Sequence, residues 1–193
     1  MIQPVLPLIL ASGSPRRREL LDLMGLTYTV ETPDVDESFS GRPSETVMEI
    51  SRRKAAAVAA RHSDSIIIAA DTLVFADGAL GKPHTPERAA QMLRRLSGTH
   101  HTVYTGIAVA RGERMTVECE GSRVCFRELS EDDIGRYVAT GEPLDKAGAY
   151  GIQERGSIFV SGIEGDYFNI VGLPVCRLAE VLRRDFGYDI LGD

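Results

Sequence analysis

The sequence predicts an α/β fold, and three observations carry that expectation. Apolar, β-branched runs alternate with segments that open on helix-start signals, at Ser14-Pro15, at Ser44 and at Thr85-Pro86-Glu87. The opening run, Val5 to Ala11, is apolar enough for a buried strand and passes through the small-residue turn Ser12-Gly13-Ser14 directly into a helix. The most apolar run of all, Ser65 to Ala76, reads as a central strand, or as two strands meeting at a bend, and is interrupted by Asp71. With 193 residues and 43% hydrophobic content, the chain suits one domain, residues 1–193, or one domain with two lobes.

The remaining elements follow in order. Ser14 is placed to N-cap the first helix, with Pro15 pre-set at its first position. That helix runs to about Met24, with Leu20, Leu21 and Met24 as its apolar stripe and Gly25 as its stop. Thr27 to Glu31 reads as a strand, followed by the acidic loop Thr32-Pro-Asp-Val-Asp-Glu37. A long helix is expected from Ser44 to about Arg61. Asp77-Gly78 reads as a two-residue hairpin turn. Thr85 caps a helix that ends at Ser97-Gly98, and Thr102–Ala110 and Met115–Arg127 form an antiparallel hairpin. Ser130-Glu-Asp-Asp133 resembles a capping box for a helix to about Thr140. Ile158–Ile163 and Tyr167–Val171 read as a last hairpin, and Gly172-Leu-Pro174 leads into the final helix with Leu178, Val181 and Leu182 facing inward.

Composition narrows the partners. A net charge of −6 argues against a polymeric nucleic-acid partner, while a small anion needs only a local basic pocket. The three cysteines form no CxxC pair and point to a reducing compartment. No run is long and apolar enough to cross a membrane, and no signal peptide is evident, so a cytoplasmic location is expected. The four histidines have no metal-site spacing, and adjacent His100 and His101 point to opposite faces of a strand. Oxygen ligands are the available kind, which suits Mg²⁺ or Mn²⁺ better than Zn²⁺.

Several residues sit where ordinary packing does not want them. Arg16, Arg17 and Arg18 occupy a helix start, where the dipole opposes cations; they are either a solvated face or partners of a bound anion such as phosphate. Lys54 falls in the middle of the helix face made by Val47, Ile50 and Val58. It either snorkels from the edge of the core or aims into a cleft at an anion. Asp71 in an apolar run needs a metal, a cation or a water-lined site, unless it simply ends a strand in a turn. Lys82, beside Pro83, reads by itself as a surface lysine. Glu142 to Gln153 is rich in small residues and is either an ordinary connection or a backbone that lies close to a ligand, with the Gln153 amide able to read a base edge.

Beside Glu37 and Lys54 stand five landmark segments, Leu10-Ala-Ser-Gly-Ser-Pro-Arg-Arg, Ala70-Asp-Thr-Leu-Val74, Gly81-Lys-Pro83, Asp145-Lys-Ala-Gly-Ala-Tyr-Gly-Ile-Gln153 and Val171-Gly-Leu-Pro174. In this order and spacing they resemble the Maf family of nucleotide pyrophosphatases, first named as septum-formation inhibitors. The resemblance covers Leu10 to about Arg183. It implies an elongated α/β protein whose mixed β-sheet is flanked by helices, with two lobes around a deep cleft, similar to inosine-triphosphate pyrophosphatases. It also implies hydrolysis of a nucleoside triphosphate to the monophosphate and pyrophosphate with a divalent cation, Mg²⁺ or Mn²⁺. Carried over by position, Asp71 would be the general base. Ser12, Arg17, Lys54 and Lys82 would hold the phosphates, and Glu37, with Asp71, would serve the metal or water. The dTTP/UTP subgroup is marked by Arg16, Thr72 and Gln153, where the 7-methyl-GTP subgroup typically has Trp, Gln and Glu. Modified forms such as 5-methyl-UTP or pseudo-UTP are candidate substrates. Homodimerisation is the family's habit. The alternative is a non-catalytic or dual-role regulator that restrains septum formation, which has no need of Lys54 and Asp71 on core-side positions.

Overall fold

The computed structural model describes residues 6–192. A seven-stranded mixed sheet with flanking helices is built from β1 (Leu8–Leu10), β2 (Tyr28–Val30), β3 (Ile66–Phe75), β4 (Ala79–Leu80), β5 (His100–Arg111), β6 (Arg114–Phe126) and β7 (Val160–Glu164). Its strand order is β2-β1-β3-β5-β6-β7, with β4 paired to β3. β1 runs parallel to β2 and β3, whereas β3–β4 and β6–β7 are antiparallel. The helices are α1 (Pro15–Leu23), α2 (Pro43–Ala59), α3 (Pro86–Leu96), α4 (Glu131–Ala139), α5 (Tyr167–Val171) and α6 (Val175–Phe186).

The chain divides into two compact units, and β3, β5 and β6 each supply residues to both. The first takes Met1–Asp71, Thr105–Glu120 and Gly172–Asp193. Ile9 and Ala11, Ile67 and Ala69, and Ala108 and Ala110 alternate onto one sheet face and pack with Ala55 and Val58 of α2. Leu8, Leu10, Ile66 and Ile68 are buried as well, so β1 and the first half of β3 are covered on both sides and carry no polar alternation, whereas the edge strand β2 is largely exposed. The small residues let α2 come close: a Cβ on Gly106 would lie 2.4 Å from the Val47 carbonyl oxygen. α6 is tied to β6 by Arg177, whose guanidinium donates to Glu118 at 2.9 Å and Glu120 at 2.7 Å.

The second unit, Thr72–Tyr104 and Gly121–Val171, has its own core. Leu93 and Leu96 of α3 pack with Val103, Phe126, Ile134, Tyr150 and Phe159. His101 stands edge-on to Phe126 and Tyr150 and bonds the Tyr150 hydroxyl at 2.8 Å. His100 is exposed and His101 buried, as strand alternation requires. Thr85 caps α3 through the Arg88 amide at 3.3 Å, and the Ser130/Asp133 capping box is formed in both directions at 3.1 Å.

Four local expectations are corrected. Tyr167–Val171 is α5, not a strand. Asp166 Oδ1 accepts the Phe168 amide at 2.8 Å and starts the turn. Buried Asn169 then donates to the Val103 carbonyl and Ser122 Oγ, each at 2.9 Å; a short apolar run has no period to reveal this. α2 begins at Pro43 rather than Ser44, its N-cap being Arg42, whose amide is accepted by Glu45 Oε2 at 3.1 Å. Ser14 occupies the N-cap position of α1 but makes no side-chain cap. β1 starts at Leu8, later than the expected strand, whose Val5 lies outside the described residues. Of the two readings of the Ser65–Ala76 run, the single strand is the one found, as β3.

Candidate active site

In the first unit the turn after β1 is organised around Ser12. Its Oγ accepts the Ser14 amide at 3.3 Å and the Arg17 Nη1 hydrogen at 3.0 Å. Arg17 Nε donates to the Gly172 carbonyl at 2.8 Å, so a buried guanidinium on the first turn of α1 is fixed at both ends. Burial lowers the Arg17 pKa, while the Asp71 and Glu37 carboxylates pull the other way. The three arginines therefore divide. Arg17 is buried, Arg16 is half-buried and Arg18 is exposed.

Lys54 resolves the choice between snorkelling and pointing at a negative group. Its side chain is 11% exposed, and Nζ lies 2.8 Å from Asp71 Oδ1 and 2.8 Å from Glu37 Oε1. α2 supplies the lysine from its core-facing stripe, and β3 supplies Asp71, 17% exposed. Glu37, 61% exposed, arrives from the irregular stretch between β2 and α2. Asp71 Oδ2 accepts no hydrogen bond among the described residues. The result is an alternating set of charges, two cations and two carboxylates, each with a neighbour of opposite sign.

Of the residues expected at the site, Ser12, Arg17, Glu37, Lys54 and Asp71 are brought together in this unit. Thr72, Lys82 and Gln153 belong to the second unit. There Thr72 is half-buried, Lys82 follows β4 exposed, and Gln153 is exposed. The segment that carries Gln153 is densely bonded rather than a loose connection. Glu142 Oε1 accepts the Tyr137 hydroxyl at 2.7 Å and the Gly156 amide at 3.1 Å, and Oε2 accepts the Arg155 amide at 3.2 Å. Burial, then the bond to Glu142, pushes the Tyr137 phenol pKa up. Lys146 Nζ donates to the Glu142 carbonyl at 2.8 Å and sits 3.3 Å from Glu154. Gly148 adopts φ +72°, and a Cβ there would lie 3.0 Å from Val74, so the backbone conformation and the close approach both call for glycine.

Nothing in the local sequence pattern marks Arg53, Glu142, Tyr137, Lys146 or the Gly172 carbonyl individually. Arg53 was hidden in the Arg52-Arg53-Lys54 run, which looks like a solvated face. Glu142, Lys146 and Gly172 all stand in or beside the family-like segments, which was a usable signal.

Two carboxylates on one ammonium are a donor set that a divalent cation can use. Mg²⁺ binds through one or two carboxylates and takes its other oxygens from phosphate and water. Among the described residues there is no group of three or more His, Cys, Asp or Glu that could hold a metal ion; Glu37 and Asp71 are the two carboxylates that meet at Lys54. No helix is long and apolar enough to cross a membrane.

The chain is 52% identical over 189 residues to a dTTP/UTP pyrophosphatase of Pelotomaculum thermopropionicum, covering 95% of this chain and 98% of that protein. It is 52% identical over 190 residues to one from Moorella thermoacetica, covering 96% and 97%. Against one from Bacillus cereus it is 47% identical over 186 residues, covering 95% and 97%. Among solved structures, the Staphylococcus aureus Ham1 protein aligns at 16% identity with a TM-score of 0.49, over 78% of this chain and 89% of that one. The family profile described as Maf-like protein matches residues 7–185. A match of that extent, together with near-full-length relatives at about half identity, shows that the chain belongs to the Maf-like protein family.

Proposed function

We propose that the protein hydrolyses dTTP and UTP to the nucleoside monophosphate and pyrophosphate. The observation that carries the proposal is the Lys54 ammonium held between Asp71 and Glu37 at 2.8 Å each, with buried Arg17 electrostatically coupled to both carboxylates. Near-full-length relatives named dTTP/UTP pyrophosphatase supply the substrate class.

In the reaction a water oxygen bonds to the α-phosphorus, the bond to the α–β bridging oxygen breaks, and pyrophosphate leaves with that electron pair. Asp71 accepts the proton of the attacking water through the oxygen that Lys54 does not occupy. Ser12, Arg17, Lys54 and Lys82 neutralise the phosphate oxygens as charge moves onto the leaving group. A divalent cation, Mg²⁺ or Mn²⁺, held by Glu37 and Asp71, would add Lewis-acid stabilisation of the same oxygens. Arg16, Thr72 and Gln153 select the pyrimidine. A cytoplasmic enzyme acting on free nucleotides, common or modified, is consistent with this chemistry.

A pyrophosphate-release screen of common and modified nucleoside triphosphates with Mg²⁺ and Mn²⁺ tests the proposal. dTTP and UTP should lead, and Asp71→Asn should lower kcat by about 10²-fold or more. Failure to turn over any nucleotide would refute it, and near-normal turnover by Asp71→Asn would remove Asp71 as the base.

A further inference from the structure

We propose that Arg53 is a positioning residue that clamps the Glu37 backbone so that its carboxylate meets Lys54; the inference rests on the hydrolase reading above. Residues 31–42, between β2 and α2, have no regular secondary structure, and Glu37 lies in the middle of them with its side chain 61% exposed. An exposed carboxylate on such a stretch has no packing reason to stay beside one ammonium. A long irregular connection within a compact fold is also where functional loops occur.

Arg53 supplies the constraint. Its Nη1 donates to the Asp36 carbonyl at 2.9 Å and to the Ser38 carbonyl at 2.9 Å, the two residues that flank Glu37. Its guanidinium carbon stands 5.9 Å from the centre of the Phe39 ring. Its Nε is anchored on Glu49 Oε1 at 2.8 Å, one turn back on α2. Asp36 Oδ1 accepts the Ser38 amide at 2.8 Å, which closes the turn around Glu37 from within. Arg53 and Lys54 are consecutive on α2, so one helix step fixes the backbone of Glu37 through one residue and receives its carboxylate through the next.

Only a guanidinium fits this task. It presents two hydrogens on one nitrogen in a fixed plane while a third bond, from Nε, sets that plane against Glu49. A lysine offers a charge without the plane. Loss of Arg53 leaves Glu49 paired with Arg52, whose Nε and Nη2 donate to it at 2.8 Å each, so the helix surface keeps its own ion pair.

The test uses the full chain with dTTP and Mg²⁺, and compares Arg53→Ala, Arg53→Gln and Arg53→Lys, each also combined with Glu37→Gln. In the wild-type background the three variants should lose about 10- to 100-fold in kcat, with KM for dTTP within about twofold, because positioning and not phosphate binding is disturbed. In the Glu37→Gln background the same substitutions should cost nothing further, since Arg53 acts through Glu37. Hydrogen exchange of residues 36–39 should accelerate in all three, with Arg53→Lys failing to restore protection. An equal kcat loss in both backgrounds overturns the proposal, as does unchanged kcat in all three variants. If the wild type hydrolyses no nucleotide, the hydrolase reading fails by itself. The exchange of residues 36–39 then decides the clamp, and unaltered protection in the variants refutes it.

Discussion

Replacing Lys54 by methionine should expose how the central charges are balanced. The ammonium lies 2.8 Å from Asp71 and 2.8 Å from Glu37, but the two contacts differ in worth because the carboxylates differ in exposure. Glu37 is 61% exposed and can turn to water, so its contact contributes at most about 1 kcal/mol. Asp71 is 17% exposed and Lys54 11%, so that pair is largely out of water. Removing one partner of a buried pair costs about 3–5 kcal/mol because the other charge stays behind, and residual solvent access brings this to about 2–3 kcal/mol here. Lys54→Met should therefore destabilise by about 3 kcal/mol, a fall in Tm of roughly 6–12 °C for a chain of this size. Lys54→Met with Asp71→Asn leaves no stranded charge and should recover about 1–3 kcal/mol relative to the sum of the single changes. Urea denaturation of the four proteins measures the coupling, and pyrophosphate release should fall in every variant. Additivity of the two single changes within about 0.5 kcal/mol would refute the reasoning, since residues in direct ionic contact cannot behave as independent sites.

Three other outcomes follow from particular contacts. His101 is buried against Phe126 and Tyr150, and burial pulls its pKa from 6.5 down to about 4. The unfolded chain then binds this proton first as pH falls. The stabilisation is complete above about pH 6.5, is lost toward pH 4, and amounts to roughly 2 kcal/mol between pH 7.5 and 5. His101→Gln should flatten that part of the urea-midpoint profile, and an identical pH slope in the variant would count against the burial argument. Gly106→Ala puts a Cβ 2.4 Å from the Val47 carbonyl oxygen, where neither backbone can yield cheaply, and should cost about 2–4 kcal/mol by thermal or urea unfolding. Arg16→Trp with Thr72→Gln and Gln153→Glu should lower kcat/KM for dTTP and UTP by about tenfold or more, and an unchanged preference across nucleotides would show that these positions do not read the base.

The two kinds of information divide along physical lines. Alternation and helix-start chemistry are local, so β1, β3, β5, β6, α1, α3 and α4 were legible from neighbouring residues alone. The same locality explains the failures. Tyr167–Val171 became a helix because Asp166 caps it and Asn169 reaches Val103 and Ser122, partners distant in sequence. By itself the sequence determined the α/β class, the family-like segments and the misplaced polarity of Lys54 and Asp71, because a charge within an apolar pattern is visible without coordinates. Only the tertiary structure decided what those charges meet. Lys54 and Asp71 are 17 residues apart in the chain, and Arg17 and Gly172 are separated by 155, yet each pair is in hydrogen-bond contact. The structure alone also distinguished Arg53 from Arg52, adjacent residues of one type on one helix. Arg52 pairs on the surface with Glu49, while Arg53 also holds the carbonyls on either side of Glu37, because the loop returns past only one side of α2.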